Sequence, residues 1–289
     1  NTKLGLYYLN YSLAIFLKIK HRVGSAYLLN NIGLVYNDKS DYTQAITYYL
    51  RSLKIKEQLG NKRSLAFAYL NLGLVYYSIQ DYDKALEYYN KALVIFKLEE
   101  DKQPLTILLY NMGVVYFDKK EYSTAIQFEE QSLDLSKRIE DKESEAKAYS
   151  NLGSIYLALG DFNKAKNYAN AALNLFLEIK NIRATAGANS LLAEIELQQK
   201  RTKNAIEFGN QALSGATEVE DLDLSKDVHK TLYKANKLDQ NFNAALKHLE
   251  EYSSLMDSIF RSDKQKQIVR QELNYEFEKK EERNKVQQE

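Results

Sequence analysis

Four asparagines stand forty residues apart, at Asn31, Asn71, Asn111 and Asn151, each two positions before a glycine. A side-chain amide both donates and accepts a hydrogen bond, so a row of them at fixed spacing suits the backbone of an extended chain regardless of its side chains. An extended chain advances about 3.3 Å per residue and packed helices lie about 8 to 10 Å apart, so one asparagine would meet roughly every third residue of such a ligand. Asparagine in a helix interior costs at most about 0.7 kcal/mol relative to alanine. Four in-phase placements therefore point to a use, either ligand contact or hydrogen bonding between repeats. Leu191 and Thr231 take the slot in the next two copies, which ends the row after the fourth.

The remaining chemistry is sparse. Of the three histidines, His21 falls between helices, His229 in the first helix of a sixth copy, and His248 in a slot held elsewhere by Tyr48, Tyr88 and Tyr168. Those different places give no reason to expect convergence on a metal or a nucleophile. The absence of cysteine excludes disulfides and thiolate chemistry, and no glycine-rich phosphate loop occurs. Acidic turns at Glu99-Glu100-Asp101, Glu140-Asp141 and Glu220-Asp221 recur at the period and would suit a cation. The same slot is Asn61 and Asn181 elsewhere, so helix capping accounts for them more simply. The expectation is a chain with no catalytic residues, no metal and no cofactor. A formal net charge of +1 over 289 residues demands neither nucleic acid nor an anionic membrane as partner.

The asparagines are positioned by a repeat. Alanine recurs at Ala45, Ala85, Ala125, Ala165, Ala205 and Ala245, a small residue at Gly33, Gly73, Gly113, Gly153 and Ala193, and an aromatic at Tyr42, Tyr82, Tyr122, Phe162 and Phe242. Self-similarity at a fixed period of this length marks a repeat array, in which each unit packs on its neighbours. Each copy divides into two breaker-free stretches with apolar residues at helical spacing, a helix A from about Arg63 to Ile79 and a helix B from about Tyr82 to Leu98 in the second copy. Capping side chains precede helix A at Asn61, Asp101, Asp141, Asn181 and Asp221, and helix B at Asp41, Asp81, Asp161 and Asn241. Pro104 falls in a first turn, where a missing amide hydrogen costs little. Gly73 and Ala85 are expected where A and B cross, Ala92 where B meets the next A, with Tyr76, Tyr82 and Leu93 filling the space between.

The pattern Leu72, Gly73, Tyr76, Ala85, Tyr89, Ala92 resembles a tetratricopeptide repeat, over roughly residues 22 to 260. The usual unit has about 34 residues, whereas this one has 40. The longer form, with asparagine before the Leu-Gly pair, resembles the peptide-binding repeats of kinesin light chains and of Leu-Gly-Asn spindle adaptors, and repeats of bacterial signalling receptors. The resemblance implies an all-α, right-handed superhelical solenoid of antiparallel helix pairs. It also implies that the four asparagines face a concave groove, flanked there by Tyr27, Phe67, Leu70, Leu74, Tyr77, Tyr110 and Phe117, and that the groove takes a peptide or protein segment. Tyr76 and Tyr116 are core residues by the same comparison.

Both ends depart from the pattern. Tyr8, Ser12 and Leu13 align with Tyr48, Ser52 and Leu53, so residues 1–20 read as a partial repeat lacking its helix A, and six repeats follow from about residue 22. Asn1 is not an initiator methionine, and the chain is expected to be part of a longer one. No run of eighteen apolar residues occurs, so a membrane would be met only through segments outside it. From Asn241 to Glu289 there is neither glycine nor proline, which predicts a long C-terminal helix, with the solenoid at 1–260 and a linker or coiled-coil helix at 261–289 that offers a possible homodimer contact. The run Asp257-Ser258-Ile259-Phe260 followed by Tyr275-Glu276-Phe277-Glu278-Lys279-Lys280-Glu281 resembles the connector after the repeats in bacterial tetratricopeptide sensor histidine kinases. That resemblance implies the sensing region of a membrane receptor, on the periplasmic side or alternatively in the cytoplasm, with a kinase or other output domain elsewhere in the full-length protein. A soluble adaptor or an intracellular peptide-pheromone receptor is the alternative.

Overall fold

In the computed structural model, which describes residues 2–259, those residues form helices joined by tight turns and no strand. The connector residues 260–289, and with them the linker or coiled-coil expectation, lie outside the described residues. The chain is an all-α helical repeat array that divides into two compact units, the described part of the first ending at Asp101 and the second beginning at Lys102. The first carries α1 (Thr2–Lys18), α2 (Arg22–Asp38), α3 (Tyr42–Leu59), α4 (Lys62–Ser78) and α5 (Tyr82–Leu98). The second carries α6 (Lys102–Asp118), α7 (Tyr122–Arg138), α8 (Lys142–Ala158), α9 (Phe162–Glu178), α10 (Ile182–Gln198), α11 (Thr202–Glu218) and α12 (Leu222–Leu238), followed by a helical stretch at 242–259. None of the described helices is long and apolar enough to cross a membrane.

At most junctions one residue both closes a helix and opens the next; Glu121 and Arg201 close without a side-chain cap. The backbone amide of Asp81 donates to the Tyr76 carbonyl at 2.9 Å, six residues to one, while its carboxylate accepts from the Lys84 amide at 3.3 Å. Asp41 and Asp161 do the same. These contacts satisfy orphan groups of both helices at once, and they fix the linker length on which the forty-residue period depends. The expected caps at Asn61, Asp141, Asn181, Asp221 and Asn241 are present. His21 also caps, its Nδ1 accepting from the Gly24 amide at 3.0 Å. The left-handed residue that ends each helix is glycine only at Gly60 and Gly160; elsewhere it is Lys, Ser, Gln or Glu, with φ between 52° and 62°.

Packing follows the repeat. Where Gly33 and Gly73 sit in helix A, the rings of Tyr49 and Tyr89 from helix B lie over the space a Cβ would need, 2.7 Å from it at Gly33. Tyr49, Tyr89 and Phe96 are among the largest fully buried side chains, each stabilising the fold by roughly 1.5 to 3 kcal/mol through burial. A second contact is a stacked aromatic pair between A and B: Tyr36 with Tyr48 (5.4 Å between centroids), Tyr76 with Tyr88 (5.5 Å), Tyr116 with Phe128 (5.3 Å) and Tyr156 with Tyr168 (5.5 Å). The Ala92 slot is Ser52 and Ser132 in other copies, and there the buried hydroxyl donates to the carbonyl of its own helix A, Ala26 at 2.7 Å and Thr106 at 3.0 Å. In the next copy Ala172 packs against both Ala146 of its own pair and Ala188 of the following helix A.

Candidate functional site

In the second unit, helices α6, α8 and α10 present one common face. Lys147, Ser150, Asn151, Ser154 and Ala158 recur at helical spacing along α8, and Gly187, Ser190, Leu191, Glu194 and Gln198 along α10. Three recesses open on this face. The largest, about 630 Å³, has an apolar floor of Phe117, Leu157, Phe162 and Leu191 and a polar edge of Ser154, Glu194 and Gln198. A second, about 370 Å³, lies toward the N-terminal ends of the same helices and is lined by Tyr110, Lys147, Ser150, Asn151 and Arg183 among others. A third, about 390 Å³, runs from Ser154 and Glu194 to Asp227, Lys230 and Lys234 on α12.

Of the residues expected to line a groove, Tyr110, Phe117 and Asn151 stand at these recesses. Asn111 is half-buried and its Nδ2 is buried with no hydrogen-bond partner among the described residues. In the first unit, Tyr27 is 64% exposed and Phe67 36%. Phe67 meets Phe96 edge-on at 5.2 Å and carries the Arg63 guanidinium 5.8 Å from its centroid. Leu70 is buried, Leu74 is half-buried, and Tyr77 is half-buried against Tyr82 at 6.0 Å. Asn31 and Asn71 are half-buried.

The asparagines do not share one hydrogen-bonding role. Asn71 Nδ2 donates sideways to Asn30 Oδ1 on the preceding helix A at 3.0 Å. Asn151 Nδ2 donates inward to Glu129 Oε1 on helix B at 2.8 Å. The slot is the same and the neighbour differs. Glu129 is fully buried. Burial, partly offset by the Asn151 hydrogen bond, holds its carboxyl well above the usual carboxylate range, which favours the uncharged form. Tyr110 also hydrogen-bonds Asn151, and burial with the nearby Glu129 pushes its hydroxyl up to about 12.

Residue-by-residue reading missed the contribution of α10. Leu191, which takes the asparagine slot of the fifth copy, lines both the largest recess and the one reaching α12. Its position two before Ala193, in register with Asn151 before Gly153, was the available signal. Two of the histidines, in different slots of the repeat, are nevertheless neighbours. His229 and His248 meet with their Nδ1 atoms 3.0 Å apart. Register could have shown this, because the same two slots bring Tyr69 to Tyr88 at 6.1 Å and Tyr149 to Tyr168 at 6.0 Å. Burial lowers both imidazole pKa values; Lys247 lowers them further and Glu251 opposes. Among the described residues, no group of three or more His, Cys, Asp or Glu is placed to hold a metal ion.

Paired helices with a recessed face along the A helices define a helical repeat protein that carries a groove. The tetratricopeptide repeat model matches residues 24–97 and 105–178, and a second tetratricopeptide repeat model matches 150–219. The chain belongs to the tetratricopeptide repeat family. Among solved structures it is similar to a signal transduction ATPase with numerous domains and a tetratricopeptide repeat sensor from Pyrococcus horikoshii. That match has a TM-score of 0.69 and 20% identity, over 86% of this chain and 39% of that one. It is also similar to a Rap protein complexed with competence and sporulation factor (TM-score 0.61, 16% identity, 90% of this chain and 89% of that one). A third is BtubC from P. vanneervenii (TM-score 0.63, 19% identity, 74% and 90%). At these identities the likeness is one of fold. No curated protein matches the sequence.

Proposed function

We propose that this chain is a non-catalytic binding module whose A-helix face in the second unit holds a peptide or a segment of a protein. The observation that carries the reading is the row of recesses on α6, α8 and α10, with an apolar floor at Phe117, Leu157 and Leu191 and hydrogen-bonding groups at its edges. Apolar anchoring with a few polar groups fixing orientation is what a segment-binding groove requires. Selection of a random peptide display library on the full chain tests it. Enriched peptides should bind the parent, and Leu157→Ser and Glu194→Ala, on the rim of the same recess, should weaken them about tenfold or more in fluorescence anisotropy while thermal midpoints stay within a few degrees. Affinities unchanged in both variants would sink the reading.

The finer assignment is the sensing region of a bacterial signalling receptor of the histidine kinase type, transmitting through the C-terminal helix. It rests on the resemblance of the connector sequence at residues 257–281. The native reading frame tests it: an apolar run of about twenty residues after Glu289, followed by an output domain, is the expected finding. A soluble peptide receptor is the second reading, favoured by the match to the Rap protein complexed with competence and sporulation factor over 90% of this chain. An effector domain before Asn1 and a stop soon after Glu289 would move the assignment there.

A further inference from the structure

Glu129 stands where helix B carries Tyr49 and Tyr89 in earlier copies and Ala169 in the next. Its carboxyl takes the place of those rings over Gly113, with Cδ 2.8 Å from where a Cβ would lie. It is fully buried, Oε1 accepts from Asn151, and Oε2 has no hydrogen-bond partner among the described residues. Asn151 in turn lines the 370 Å³ recess beside Tyr110 and Ser150. A buried acid is thus linked to the groove through one amide, an arrangement that Asn71, bonded to Asn30, does not share.

The link sets what the recess offers. With one amide hydrogen committed to Glu129, Asn151 keeps a second N–H and its oxygen, a donor and an acceptor, for its remaining contacts, Tyr110 among them. The two cations at the recess each already face an acid: Lys147 donates to Glu143 at 2.6 Å and Arg183 to Asp221 at 2.7 Å. A free carboxylate ligand would set an acceptor against the Asn151 oxygen and compete for engaged cations. An ammonium would stand beside Lys147 and Arg183. A primary amide donates to the Asn151 oxygen and accepts from its second N–H, from Ser150 or from Lys147, so it matches both the donor and the acceptor that Asn151 offers.

We propose that the recess formed by Tyr110, Ser150 and Asn151 is a subsite for the primary amide of an asparagine or glutamine side chain in the bound segment, with Glu129 as the residue that positions Asn151. The proposal rests on the groove reading above. In it Glu129 is a positioning residue, acting through the amide it holds.

Peptide display on the full chain separates the two claims when run in parallel on the parent, Glu129→Gln, Glu129→Tyr and Asn151→Leu. Glutamine keeps a neutral acceptor for Asn151; tyrosine restores the residue of the sibling slots; leucine is the residue of the fifth copy. Pools from the parent and Glu129→Gln should carry Asn or Gln at one fixed position. Those from Glu129→Tyr and Asn151→Leu should keep the apolar preferences and lose it. A parent-selected peptide with that residue changed to Leu should bind the parent about tenfold more weakly and Asn151→Leu no more weakly. Thermal midpoints show that each variant is folded. Peptides that bind the parent groove without an Asn or Gln preference, or a preference that survives Asn151→Leu, would overturn the subsite and leave the groove reading standing. A parent pool with no enriched peptide would remove both.

Discussion

Two glutamates, Glu129 and Glu196, are both fully buried in the second unit, and each occupies a slot that holds tyrosine in other copies. Their carboxyl pKa values are displaced in opposite directions. Glu196 is met by the Lys166 ammonium, by Asn204 Nδ2 at 3.2 Å and by Arg201 at 3.7 Å. Burial pushes its carboxyl up, but these three partners together outweigh burial and hold it below the usual range. Glu129 has one neutral hydrogen bond among the described residues, and burial holds its carboxyl above the usual range. Depth alone therefore does not set the direction of the shift; the presence of cationic partners does. The consequences diverge too. Glu196 ties α9, α10 and α11 together, whereas Glu129 connects the core to the groove.

The largest break in the comparison comes from removing a partner of the charged member. Lys166→Met should destabilise the protein by about 2 to 3 kcal/mol in urea unfolding. That is less than the 3 to 5 typical of a fully buried pair, because Lys166 is about a third exposed and Arg201 remains. Gly113→Ala should cost about 1 to 3 kcal/mol by driving a methyl into the Glu129 carboxyl, and the loss should shrink when Glu129 is also Ala.

Isosteric amides sharpen the contrast through pH. Glu196 has a folded pKa below the ordinary 4.5, so its contribution is present above that value and is lost as pH falls through it. The stability gap between the parent and Glu196→Gln should therefore narrow on acidification. Glu129 has a raised folded pKa, so its contribution is full below 4.5 and is lost as pH rises toward the folded value. Relative to Glu129→Gln the parent should lose stability as pH rises from 4.5, the opposite slope. Smallest is the histidine pair. Its folded pKa values lie below 6.5, so the unfolded chain takes up protons first as pH falls, and stability present above 6.5 is lost below it. His248→Phe should flatten the thermal midpoint between pH 7 and pH 5.5.

The repeat, its caps and its helix bounds were legible because one residue type at each junction has one geometric task. Helix A of the second copy, expected at about Arg63 to Ile79, spans Lys62–Ser78, and helix B spans Tyr82–Leu98 as expected. The turns themselves were less visible, since Lys, Glu, Gln and Ser carry most of the left-handed positions where glycine is the usual marker. The asparagine row was legible as a row, but not its bonding. Whether Asn71 turns to Asn30 or Asn151 turns to Glu129 depends on a residue from another helix. Glu129 reads in sequence as a solvated charge on a helix; only the packing over Gly113 and beneath Asn151 makes it a buried acid. Leu191, where the asparagine row ends, lines the largest recess, a contribution that the row itself did not reveal.

Amide hydrogen exchange of the full chain, with and without the most enriched peptide from the display selection, tests the binding face most directly. The account predicts slowed exchange concentrated in α6, α8 and α10, with α7, α9 and α11 little changed. Protection confined to the B helices, or spread evenly over both sets, would contradict a binding face on the A helices.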